Sequence, residues 1–584
     1  MPSHKHIAAL LVGIGTAAAS VPATSQTLRD VPRNRTLISQ GWDYYNQVPT
    51  PTNLSPYNGV LLNQRNILHY TVTESLFYTN HLTNTLIPWQ AERMETPPDY
   101  REVTVTLRPN VRWADGEPLT ADDVVFTFDT LRNGPPEMAL GGAVREWVES
   151  ATAPDAHTVK IRLKKPGPRW AQDTLATGQT TRFVVLPKHI WQGQDPKTFG
   201  NFDLAKGWPI GTGPYRVVRS DQTSIVFDRL DHWWAVDAGL VKVLPAPERI
   251  IYRPATQEAM AQLFTANEID MGRALEVGSL EAAMARNPNI KSWNATGPVW
   301  GVTAGCTFRF VMNNQSAPFD KTPVRQAIAS VIDRDQVANL AFEGSVPTVR
   351  APFSSYPSMQ AYTKQLEPDI AELVRNPDPA RAEQILTAAG FKKDADKHWH
   401  LPDGAVWQIT VNTQQGDAVG PVIAHQLGAF GIDTVFHPMP DAQYFDAMAA
   451  GTYNTVIFQH CGSLYDPWQT LEHFHSKYAP PPGQRAPNLR AITRYANPEL
   501  DALLDKMSAR APSPDDADYM QLVRAATRIV LRDVPQVSLT EEIHAITYNT
   551  TYWTGWPTAA DPYIAPFQAW DGFALVLQHL KPRQ

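Results

Sequence analysis

Two cysteines, Cys306 and Cys461, are all the chain has in 584 residues. That scarcity excludes a disulfide-rich scaffold and a four-cysteine zinc site. An exported chain permits a bond between the two. A chain of this size needs no such staple, which favours two buried free thiols. Neither cysteine lies near the N-terminal leader, so a lipid-anchored lipoprotein is not expected. Charge is also sparse: 19% of residues are charged, the formal net charge is -7, and Lys and Arg form no cluster. Binding to nucleic acid needs such a cluster, so nucleic acid is excluded as a partner. Beyond the leader no apolar run reaches the roughly 18 residues of a membrane-spanning helix. Local catalytic signatures are missing as well. No Gly-x-Ser-x-Gly elbow, His-Glu-x-x-His pair or phosphate-cradling loop occurs, and Gly211 and Gly213 lead into a proline and a strand, not a helix. No catalytic residue and no cofactor are therefore assigned.

What is abundant is proline, with 50 residues, and tryptophan, with 17. Proline in such number implies long ordered connections. Tryptophan supplies flat apolar faces to cores and to ligand clefts alike, with the core taking most of them. The N-terminus has the layout of a secretory signal peptide over residues 1–25. His4-Lys5-His6 is followed by the apolar run Ile7–Ala19 and by Ala23-Thr24-Ser25 before Gln26. Two histidine pairs, His398/His400 and His473/His475, would share one face if they lay on strands. No third ligand accompanies either pair, so no metal site is assigned.

Apolar periodicity switches repeatedly between two and 3.6. Val103–Leu107 and Thr158–Leu163 alternate as strands. Thr120 caps a helix with Asp123 at its third position and Val124, Val125, Phe128 and Leu131 on one face. Thr322 and Pro323 open another, with Val324, Ile328 and Val331 as its stripe. Asp378-Pro379 begins a third, and Gly390 stops it. Further strands are expected at 308–313, 407–411, 434–436, 455–458, 536–539 and 544–548. Irregular alternation with hairpins implies an α/β protein with mixed sheets.

These residues carry a resemblance. Trp113-Ala114-Asp115-Gly116, with Thr120-Ala121-Asp122-Asp123-Val124, is similar to the W-x-D-G-x-x-x-T-A-x-D-V segment of the family 5 extracellular solute-binding proteins, the dipeptide- and oligopeptide-binding receptors of ABC importers. Gly211-Thr212-Gly213-Pro214-Tyr215, Ala266-Asn267-Glu268-Ile269-Asp270 and Pro323–Ile328 through Asp333-Arg334 resemble further family landmarks in the same order. The resemblance implies a type II periplasmic-binding fold, two lobes hinged about a buried ligand, with an extra subdomain. By that implication lobe I is 26–62, 206–312 and 545–584, subdomain II is 63–205, and lobe III is 313–544. It further implies a monomeric periplasmic receptor that delivers a small molecule to a membrane permease.

Peptide-binding members hold the peptide ammonium with an aspartate shortly before an Asp-Pro pair. In Gly462-Ser463-Leu464-Tyr465-Asp466-Pro467-Trp468 a serine, Ser463, stands in its place. A hydroxyl cannot neutralise a buried ammonium, although Asp466 lies close by. The C-terminal run Tyr552–Thr558 with Phe567 and Trp570 resembles the tail of sugar-binding members. Both features favour an oligosaccharide over a short peptide. The expected contacts are Asn53, Ser55, Trp300, Ser463, Tyr465, Trp468, Trp556, Phe567 and Trp570. A secreted hydrolase without a local motif is the alternative from another class.

Overall fold

The computed structural model describes residues 28–40, 47–48, 50–58, 68, 70–176, 183–273, 276–375, 377–481, 483–486, 492–566 and 572–583. The leader, Phe567 and Trp570 lie outside these. Among the described residues no helix is long and apolar enough to cross a membrane.

Three sheets organise the chain. Glu102–Leu107 and Thr158–Leu163 bury alternate residues, as their period of two requires. Val103, Val105, Val159 and Ile161 are fully buried, and Thr104 and Lys160 are not. With Ala91–Glu95 and Val148–Asp155 they form an antiparallel four-stranded sheet. The helix Ala121–Asn133 packs on this unit, opened by the expected capping box of Thr120 and Asp123. Asp123 also accepts the backbone N–H of Lys188, at 2.9 Å, so one landmark carboxylate fastens a helix start to a second segment.

A seven-stranded mixed sheet comes next. Thr36–Ser39 lies at its centre, parallel to Arg249–Tyr252 and Met271–Gly272, and the remaining neighbours are antiparallel. The Gly211-Thr212-Gly213 landmark lies where this body meets the four-stranded unit. A Cβ at Gly211 would stand 2.0 Å from the Val72 carbonyl oxygen, and one at Gly213 would stand 2.4 Å from that of Thr71. Only glycine lets the two backbones approach this closely. Gly213 N–H donates to Val72 and Ala114 N–H to Gly211.

The five-stranded sheet runs in the order Asp433–Met439, Gln408–Gln414, Thr455–Cys461, Val302–Met312 and Gln536–His544. The helix Thr322–Val331 lies against it. The residue in the capping position is Lys321, not Thr322, whose hydroxyl instead accepts from the Arg325 guanidinium. Buried Arg325 also donates to the carbonyls of Phe319, Asp533 and Val534, tying this helix to the end of Ala517–Asp533. The last strand is also longer than its sequence pattern suggests. Gln536–His544 is one continuous strand paired along Val302–Met312, and the strand expected at 544–548 is divided: His544 ends this strand, and Thr547–Asn549 belongs to the seven-stranded sheet.

The chain passes from the seven-stranded to the five-stranded sheet between Lys291 and Val302 and returns between His544 and Thr547. The two passages touch: a Cβ at Gly301 would meet the His544 carbonyl oxygen at 2.1 Å. Cys306 and Cys461 face each other in register and form a disulfide. This overturns the expectation of free thiols. Chain length does remove any need for a staple, but cross-strand register sets the two sulfurs side by side.

Candidate functional site

Loop Gly462–Thr470 leaves the end of strand Thr455–Cys461 and turns back on itself. A Cβ at Gly462 would lie 2.1 Å from the Thr470 hydroxyl, which forces glycine there. Ser463 closes the loop. Its N–H donates to the Thr470 hydroxyl at 2.8 Å, and its own hydroxyl accepts from the Thr470 N–H at 3.0 Å. Buried Ser463 is thus a loop clamp, with its oxygen turned to its own backbone.

Against this loop stands the short helix Trp170–Leu175, with Arg169 before it, from the part of the chain that carries the four-stranded sheet. Arg169 and Asp466 form an ion pair, both residues being at least 95% buried. The Tyr519 hydroxyl joins both, and Arg169 donates to the carbonyls of Met507 at 2.9 Å and Arg510 at 3.0 Å. Its guanidinium lies 4.8 Å from the Trp468 ring centre. Burial would weaken the Arg169 charge, but Asp466 outweighs it and raises the pKa. The Tyr465 hydroxyl donates to Asp173, which also accepts from Gln469 at 3.2 Å. Burial lifts the Asp173 carboxyl to about 6, although the Tyr465 hydrogen bond pulls the other way. Trp468 is half-buried, its indole N–H donating to Leu504 at 3.2 Å.

A second part of the junction lies beside the crossing strands. A cavity of about 430 Å³ draws residues from both sides of the crossing: Arg273, Glu276 and Trp300 from one, Phe308, Phe342 and Glu542 from the other. Arg273 pairs with Glu542 at 3.0 Å, and His544 approaches the same carboxylate at 2.9 Å. Burial would raise Glu542, yet His544 and Arg273 hold it down to about 2. The Trp300 indole N–H donates to Glu281 at 3.2 Å.

Three of the expected contacts, Ser463, Tyr465 and Trp468, therefore share one loop, and Trp300 lies apart in the crossing cavity. Asn53 and Ser55 form a turn of their own, with Asn53 accepting from Ser55 N–H and Ser55 from Asn58 N–H. That turn is tied to Gly200. Trp556 is buried and stacked on Tyr548 at 4.8 Å and 11°. Sequence reasoning missed Arg169, Asp173, Gln469 and Tyr519. Arg169 lies 297 residues from Asp466, and nothing local marks it. The histidine pairs do not lie together on strands as ligand pairs. His473 belongs to a 3-10 turn, Glu472–Phe474, and His475 is held between Asp501 and Asp505. His400 bonds to Asp394 and to the Gly404 carbonyl. Among the described residues the one grouping of three ligand-type side chains is Cys306, Cys461 and Glu542, whose sulfurs are consumed by the disulfide.

Comparison with known proteins bears on this architecture. The family described as bacterial extracellular solute-binding proteins, family 5 Middle, matches residues 85–480. A putative ABC transporter peptide-binding protein of Brucella melitensis is 24% identical over 521 residues, covering 85% of this chain and 87% of that protein. The periplasmic oligopeptide-binding protein of an oligopeptide ABC transporter from Thermotoga maritima is similar with a TM-score of 0.80 at 25% identity, covering 94% of this chain and 100% of that one. The structure of the same protein with mannohexaose bound has a TM-score of 0.73 at 24% identity, covering 95% and 100%.

Proposed function

Because the chain belongs to family 5 of the bacterial extracellular solute-binding proteins, we propose that it captures an uncharged polar ligand, an oligosaccharide before an oligopeptide, for the permease of an ABC importer. One observation carries the preference. In the loop where peptide-binding members present a free carboxylate, Asp466 is already neutralised by Arg169, and the Ser463 hydroxyl is spent on Thr470. A peptide ammonium entering there would be buried without a counter-charge, which is costly, whereas sugar hydroxyls need only hydrogen bonds. The mannohexaose-bound relative agrees with this reading, and the names of the other relatives keep the peptide in view. Asp173 is the residue on which a peptide reading rests, as a carboxylate at the same junction.

The ligand contacts we favour are Tyr465, Gln469, Asp173 and the Trp468 ring, with Trp300 as an outlying candidate, Phe567 and Trp570 kept as candidates from the sequence alone, and Asn53, Ser55 and Trp556 as structural residues. The moving bodies are 26–62, 206–301 and 545–584, then 63–205, and finally 302–544. The first passage is set before strand Val302–Met312 because that strand pairs within the five-stranded sheet. A ligand that touches both sides only when they are closed shifts the equilibrium to the closed form, and that form engages the permease. In this reading the receptor is exported through a cleaved leader and acts as a monomer without catalysis.

Thermal-shift screening of di- to hexasaccharides against di- to pentapeptides tests the proposal. A true ligand at 100 times its Kd stabilises by about 2.7 kcal/mol. We expect shifts with saccharides that chromatography recovers intact. Shifts with peptides alone would reverse the ligand preference, and cleavage of the sugar would replace the receptor with a hydrolase.

A further inference from the structure

Away from the junction, a cavity of about 240 Å³ opens between the helix ends around Ser330, Val374 and Leu531 and the strand Gln536–His544. Its charged lining is one-sided, with Arg334, Arg350, Arg375, Arg381 and Arg532 against a single carboxylate, Glu372. That carboxylate is committed to Arg528, at 2.9 Å. Of the acids nearest in sequence, Asp333 caps a helix at Gln336 N–H, Asp378 caps one at Arg381 N–H, and Asp533 holds Arg532 at 2.7 Å, while Asp335 and Asp333 favour the Arg334 charge without pairing with it. Arg334 donates to the Ser538 carbonyl at 2.7 Å and has no carboxylate partner among the described residues. The side chains of Arg375 and Arg381 make no hydrogen bond or ion pair to any described residue.

Such a concentration of guanidinium groups is unexpected in a chain of net charge -7. Arg350, Arg375 and Arg532 are exposed, whereas Arg334 and Arg381 are half-buried, and burial together with Arg350 pushes Arg334 down to about 10 against the pull of Asp335 and Asp333. A bound counter-charge relieves both effects. Guanidinium forks match the oxygens of phosphate and carboxylate, phosphate taking two or more at once. The volume falls below the roughly 300–1,000 Å³ of clefts for drug-sized ligands, so the occupant is small. Apolar side chains, Val530 and Val537 among them, line the rest, leaving room for a carbon skeleton beside the anion.

We propose that this cavity is a second binding site, separate from the junction, for a small phosphate monoester held by Arg334, Arg375 and Arg381. The assignment does not depend on which solute the junction takes. Isothermal titration of the full mature chain with glycerol 3-phosphate, inorganic phosphate and glycerol at fixed ionic strength tests it. The expected result is saturable binding of the ester, weaker binding of inorganic phosphate and none of glycerol. The double variant Arg375→Gln/Arg381→Gln should bind the ester at least tenfold more weakly, with its melting temperature and junction ligand unaffected. Absence of saturable ester binding at millimolar concentration would overturn the site. Equal affinity in the double variant would overturn it too, as would competition between the ester and the junction ligand. Sedimentation with phosphatidylglycerol vesicles that the double variant loses would overturn the soluble ester in favour of a lipid headgroup.

Discussion

Single side chains here do work that their neighbours in sequence do not announce. Glu74 is buried and accepts the indole N–H groups of Trp89 and Trp234, each at 2.8 Å. Burial lifts its carboxyl from 4.5 to about 7, against the pull of those indoles. The unfolded chain therefore releases a proton near pH 4.5 that the folded chain keeps until about pH 7. The stabilisation is complete below pH 4.5 and is lost as pH rises through 7, by about 3 kcal/mol in all. Glu74→Gln cannot ionise, so its urea-unfolding free energy should lose that slope while falling ~1–3 kcal/mol at pH 5, where the amide turns one N–H group towards an indole donor. An unchanged slope would place the titration elsewhere. Trp468 makes a second residue-scale case. Half-buried beneath Arg169, it is replaceable without emptying a core, so Trp468→Ala should weaken ligand binding at least tenfold while the protein stays folded. Collapse of the fold would mark it as core. Ser463 could be singled out in sequence as a departure from a pattern. Its role as a clamp could not, because the Thr470 bonds depend on how tightly the loop turns.

At the scale of elements, period was legible and partnership was not. Alternation in Val103–Leu107, the capping box at Thr120 and Asp123, and the stop at Gly390 with its φ of 90° are local chemistry, and the structure has them. The join of residues 536–544 into one strand is not local. Glu541 and Glu542 lie inside that strand because Thr303, Ser355 and Arg273 from elsewhere in the chain hold their carboxylates. The cysteines follow the same rule: a separation of 155 residues says nothing of register. Beside them strand Val302–Met312 bulges between Thr303 and Thr307, with Gly305 at a φ of 75°. The disulfide thus holds an irregular strand to its neighbour at the root of loop Gly462–Thr470. Closing so long a loop restricts the unfolded chain, and removing the bond by Cys306→Ala/Cys461→Ala should cost about 2–4 kcal/mol in denaturant melts. Reductant should lower the stability of the native protein by the same amount and leave the double variant unmoved. A variant as stable as the parent would mean that strand pairing alone holds the root.

The whole molecule is tied by two kinds of interaction. The four-stranded unit is hydrogen-bonded to the seven-stranded body through Gly211 and Gly213, and the five-stranded body joins that body through the paired crossings at Gly301 and His544. On the proposed closure, rotation about those crossings would carry Arg169 away from Asp466, and the buried pair would then be a latch that forms only when the bodies close. A latch of this kind costs desolvation on both charges, repaid in part by Tyr519 and by the carbonyls of Met507 and Arg510. Removing one partner strands the other. Arg169→Met should therefore destabilise the closed form by ~3–5 kcal/mol, seen as a larger radius of gyration in X-ray scattering and a weaker ligand affinity. Arg169→Met/Asp466→Leu puts apolar groups of similar volume on both sides and should regain most of that loss. If the single variant scatters like the parent with and without ligand, the pair is a fixed strut within one rigid body, and closure must draw its stability from the ligand alone.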